Sequence, residues 1–63
     1  MKVGDLVVLS NYGSLMLIYK KVLDVPGVVV RLGPFGDTVE VRWSNGVNFR
    51  NMDMRCIKNV GIR

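Results

Sequence analysis

Histidine is absent from these 63 residues, and cysteine occurs once, at Cys56. Without histidine the commonest general acid–base group is missing. Zinc would lack its usual imidazole and paired thiolate ligands, and a single cysteine closes no internal disulfide. The five carboxylates are scattered, and none stands beside a plausible nucleophile. Gly33-Pro34-Phe35-Gly36 has neither the spacing nor the lysine of a phosphate-cradling loop. These absences point to a protein that is not an enzyme and that carries no metal and no cofactor. Long apolar runs are also lacking. The longest is Leu15 to Tyr19, far short of the roughly 20 residues that span a bilayer. Gly4 and Asp5 interrupt the first apolar run, so no signal peptide is read. The expectation is a protein with no membrane partner, not secreted, and located inside a cell or associated with a virion.

What the chain has is valine, twelve of them, in a sequence that is 49% hydrophobic. Valine's stiff branched side chain favours strands. The length suits one domain over residues 1–63, and a domain this small buries only about 60% of its unfolded surface. The net charge is +4 and falls unevenly. Residues 1–30 carry three basic and two acidic side chains; residues 31–63 carry six and three. An excess of this kind suits a polyanionic partner, and it also keeps small proteins soluble.

Residues 39–50, Val-Glu-Val-Arg-Trp-Ser-Asn-Gly-Val-Asn-Phe-Arg, form the strongest local pattern. Apolar and polar residues alternate, break at Asn45-Gly46, then alternate again. Asn-Gly between alternating runs predicts a hairpin with a type I′ turn, both central residues at positive φ. Trp43, Val47 and Phe49 are its inward residues; Arg42 and Arg50 point outward. Further strands are predicted at Val3–Leu9, with Val3, Val7 and Leu9 inward and a bend at Gly4-Asp5, at Gly27–Leu32, and at Arg55–Val60. The three valines at 28–30 imply burial on both faces or a bulge. Residues 51–54 suit a turn of 3-10 helix, and residues 61–63 read as a tail. Leu15–Leu23 follows no clean period and is open to three readings: a turn of helix, an irregular strand, or a loop folded over one end. Short strands at this spacing predict an all-β, five-stranded, mostly antiparallel, partly open barrel. A long loop follows its first strand, and a short 3-10 turn precedes the last.

Val3-Gly4-Asp5-Leu6-Val7, then Gly27-Val28-Val29-Val30, then Val41-Arg42-Trp43-Ser44-Asn45-Gly46 occur in the order seen in Src-homology-3-like small barrels. The chain resembles their Tudor, KOW and mind-bomb-repeat branch. Leu9-Ser10-Asn11-Tyr12-Gly13 is similar to a motif in small proteins of tailed phages, including those infecting cyanobacteria. The resemblance implies a binding module rather than an enzyme, and a host-cytoplasmic or virion setting. In Tudor relatives an aromatic cage holds a methylated side chain. Here the aromatics are Tyr12, Tyr19, Phe35, Trp43 and Phe49, and the last two belong to the core.

Two candidate surfaces follow. The first would bind nucleic acid through Arg31, Arg42 and Arg50, assisted by Lys20, Lys21 and Tyr19. A guanidinium fork can bond two phosphate oxygens at once, and a loop tyrosine can stack on a base. Glu40, two residues from Arg42, is placed to pair with one of these arginines; an ordinary solvated face is the competing reading. The second would bind a protein, or a second copy of the chain, through Tyr12, Leu17 and Ile18 in the 12–25 loop, or through a strand edge. Phe35 is expected to cap an open end of the barrel. Cys56 and the methionines are expected to fill gaps.

Overall fold

Alternation through the hairpin places Val39, Val41 and Trp43 on one face, and all three are buried. The computed structural model describes residues 2–60; the predicted tail at 61–63 lies outside the described residues. Five strands form one antiparallel sheet: β1 (Leu6–Leu9), β2 (Gly27–Leu32), β3 (Thr38–Trp43), β4 (Asn48–Asp53) and β5 (Ile57–Asn59). Their order is β4-β3-β2-β1-β5, so the sheet is not closed and β4 and β5 are its edges. One turn of helix, α1 (Asn11–Ser14), and a 3-10 segment, Leu17–Val22, lie between β1 and β2. A second 3-10 turn, Met54–Cys56, precedes β5.

The core joins Val7 and Leu9 of β1, Val29 of β2, the inward residues of β3, Met52, Cys56 and Ile57. Tyr19 and Val22 of the 3-10 segment complete it. The ambiguous stretch 15–23 therefore contains a 3-10 segment, Leu17–Val22, folded over the inner face. Its mixed periodicity reflects two duties: Tyr19 and Val22 face the core, while Leu17 and Ile18 face solvent.

Several expectations are corrected. Val3 is 58% exposed rather than inward. Asp5 N–H donates to the Lys2 carbonyl at 3.1 Å, so residues 2–5 are a turn and the strand begins at Leu6. Residues 51–53 extend β4, and the last strand begins at Ile57, not Arg55. Phe35 caps nothing and is 88% exposed. The hairpin turn is not type I′, because Asn45 does not have positive φ and only Gly46 does, at 93°. Gly46 N–H donates to the Trp43 carbonyl (2.9 Å) and Trp43 N–H to the Val47 carbonyl (2.8 Å). This is a three-residue loop closed by a left-handed glycine. A two-residue loop would pair Ser44 with Val47 and turn Val47 and Phe49 away from Trp43. The apolar pattern outweighs the dipeptide, because a one-residue slip flips every side chain.

Candidate functional site

Two bulges shape the outer face of the sheet. Between β2 and β3, Val29 pairs with Val41, but Arg31 pairs with Glu40, so Val30 is an extra residue. If Val30 paired regularly with Glu40, Arg31 would oppose Val39 and point into the core. Val28 and Val30 accordingly stay at the surface, each 37% exposed, and Val29 alone of the three is buried. Between β3 and β4, Val41 pairs with Phe49 and Val39 with Met52, so Arg50 and Asn51 together face Glu40. Asn51 absorbs this insertion with a φ of 55°, a left-handed conformation that asparagine tolerates better than most residues. The bulge turns Met52 into the core and leaves Arg50 exposed.

Arg31 and Arg50 thus flank Glu40, on the walls of a depression of about 330 Å³ that Thr38, Asn51 and Pro34 also line. Arg31 Nε lies 3.4 Å from Glu40 Oε1, with the arginine side chain 79% exposed. Asn48 Nδ2 donates to Glu40 Oε2 at 3.0 Å. Glu40 is the one carboxylate among the lining residues, and it is already occupied on both oxygens. Arg42 shares the outward face of β3 but borders a neighbouring apolar depression of about 550 Å³, beside Leu6, Val28 and Val30. The three arginines therefore share a face without forming one cluster.

Tyr19 is corrected most sharply. It is 7% exposed, and its ring meets Phe49 edge-on at 5.1 Å between centroids, so it offers no stacking surface. Burial, with the Cys56 thiol next, pushes its hydroxyl pKa up. Lys20 and Lys21 are exposed, and neither lines either depression. Asn45 Nδ2 donates to the Lys21 carbonyl at 2.9 Å, which ties this segment to the hairpin tip.

The long connection has its own cluster, at the Ser10-Asn11-Tyr12-Gly13 motif, although its tie to Asp53, Arg55 and Cys56 is not legible in the sequence. Ser10 Oγ accepts from Gly13 N–H (3.2 Å) and donates to the Arg55 carbonyl (2.5 Å). Ser10 N–H donates to the Cys56 carbonyl at 2.8 Å. The Arg55 guanidinium lies over the Tyr12 ring, 5.2 Å from its centroid, and bonds Asp53 with Nη2 at 2.9 Å. That bond holds the Asp53 carboxyl below its ordinary pKa, with Arg55 N–H adding to the effect. Ser10, Tyr12 and Gly13 thus clamp the start of the connection to the turn before β5. Beyond the clamp, Leu15, Leu17 and Ile18 project into solvent at 83%, 86% and 67% exposure.

Among the described residues there is no group of three or more side chains suited to hold a metal ion. No helix among them is long and apolar enough to cross a membrane. Comparison of the chain with protein-family models, with curated proteins and with solved structures returns no match.

Proposed function

We propose that the chain is a non-enzymatic binding module on a partly open Src-homology-3-like barrel, and that it binds nucleic acid weakly through the outer face of its sheet. Three features support the fold reading: the strand order β4-β3-β2-β1-β5, the long connection after β1, and the 3-10 turn before β5. The observation that carries the functional reading is the pair of bulges. Each adds one residue, and together they leave Arg31 and Arg50 on either side of Glu40, with Arg42 on the same face. Phosphate contacts dominate such an interaction, so affinity is low in sequence preference and steep in salt. The setting we read is a host cell or a virion, on motif resemblance alone.

The test is fluorescence anisotropy of a labelled single-stranded oligonucleotide across a salt series. With two or three arginine–phosphate contacts, log K against log salt should slope at about −0.7 per contact. A flat response between low and moderate salt would sink the proposal.

A second reading is favoured by a separate observation. Leu15, Leu17 and Ile18 are solvent-exposed on a connection held at both ends, by the Ser10 clamp and by Asn45. A preorganised apolar knob of this kind suits a protein partner. Tyr12, 44% exposed beneath Arg55, lies at its base.

A further inference from the structure

Resting on the nucleic-acid reading, we propose that the depression between Arg31 and Arg50 seats one nucleotide of an unpaired strand, with its phosphate held between the two guanidinium groups. Four observations converge there. The volume, about 330 Å³, lies at the low end of small-ligand pockets, about 300–1,000 Å³. Both register shifts of the sheet border it, and bulges re-aim side chains next to functional sites. Asn51, one of two non-glycine residues at positive φ among the described residues, lines it. Strained backbone at a cavity wall points to a constrained role. The cationic walls belong to arginines, whose forks match phosphate oxygens.

The site is concave and sits where β2, β3 and β4 meet, so a base held in a duplex stack cannot enter it. An unstacked nucleotide can. Thr38 and Asn51 supply neutral donors and acceptors to a base edge or sugar. Glu40 acts as a latch. Its ion pair with Arg31 at 3.4 Å occupies that guanidinium until a phosphate exchanges it away. The latch is loose, because the arginine is largely in solvent, where ion pairs contribute little.

The experiment is an amide NMR titration of the isotope-labelled full chain with adenosine monophosphate, inorganic phosphate, a single-stranded decamer and the matching duplex, at two salt concentrations. Adenosine monophosphate and the single strand should shift amides of residues 31–33, 38–40 and 50–51. Arg50→Ala and Arg31→Ala should each weaken single-strand binding by about tenfold, and Arg50→Lys should recover only part of the loss. Glu40→Gln should tighten binding several-fold by freeing Arg31, about the change expected from removing one surface ion pair. Arg42→Ala should weaken the single strand without moving the mononucleotide. If single-strand shifts map elsewhere and the depression stays silent, the seat is overturned while nucleic-acid binding stands. If inorganic phosphate shifts these amides as strongly as the mononucleotide, the site is a bare anion site and the proposal falls. Silence from every oligonucleotide at low salt overturns both readings.

Discussion

Gly13 sits where one methyl group decides how closely the long connection approaches the turn before β5. A Cβ at this position would collide with the Cys56 carbonyl oxygen, which is backbone and already accepts from Ser10 N–H. Gly13→Ala should therefore lower stability by about 1–3 kcal/mol, the range for forced overpacking, read from the urea midpoint. A variant as stable as the parent would show that the clamp can open without loss. Asp53 supplies a pH handle on the same clamp. Its carboxyl is held below its ordinary pKa by the Arg55 side chain first and Arg55 N–H second. A depressed folded-state pKa contributes stability that is fully present above the unfolded value, about 3.9. That stability is lost as pH falls through the lower folded value. Asp53→Asn should make the acid limb of the stability curve shallower, with Asp5, whose pKa Lys2 N–H and then Asn59 lower, still contributing to it. An unchanged acid limb would remove Asp53 from the account.

The hairpin loop and the 3-10 segment act as one unit, because Asn45 bonds both. Its Oδ1 accepts from Val47 N–H at 3.2 Å, and its Nδ2 donates to the Lys21 carbonyl. The left-handed residue that closes this loop is Gly46, at 93°, and nothing lies within 4 Å of a Cβ there. Gly46→Ala therefore tests backbone strain alone, with an expected cost of about 1–2 kcal/mol in chemical denaturation. Leu17 and Ile18 test the opposite case. Both project away from the core, so Leu17→Ser with Ile18→Ser should stay within about 0.5 kcal/mol of the parent. The same double variant should lose any protein partner held by the knob. Retained capture by a folded double variant would reject the second functional reading.

Across the whole molecule, the two candidate surfaces lie on different elements. Arg31, Arg42 and Arg50 occupy the outer face of the sheet, the 3-10 segment that carries Lys20 and Lys21 is tied to the hairpin tip, and the aliphatic knob projects from the long connection. Raising salt should therefore separate the two functional readings in one preparation. Oligonucleotide binding should fall steeply with salt, while an association driven by Leu15, Leu17 and Ile18 should hold or strengthen, as apolar burial does in excluded salts. Parallel loss of both on adding salt would mean that a single charged surface serves both. The free edges of β4 and β5 bear on this comparison, since unpaired strand edges invite pairing with another chain. Asn51 at positive φ and the three-residue length of β5 interrupt both edges.

The inward residues Val39, Val41, Trp43, Val47 and Phe49 could be read from the chain, as could β2 at Gly27–Leu32, because period-two alternation is a local property of a strand. So could the outward course of Arg42 and Arg50, and the gap-filling roles of Cys56 and Met52. Other features were decided by what packs against what. Tyr19 reads as a loop aromatic beside two lysines, yet the exposed inner face of a 63-residue chain needs covering, and its ring meets Phe49 there. Arg31 points to the outer face only because Val30 is extra against β3, and Met52 reaches the core only because Arg50 and Asn51 share one partner. The pairing register reverses a side chain's face with each inserted residue. It is set jointly by two strands, so neither strand's own pattern contains it.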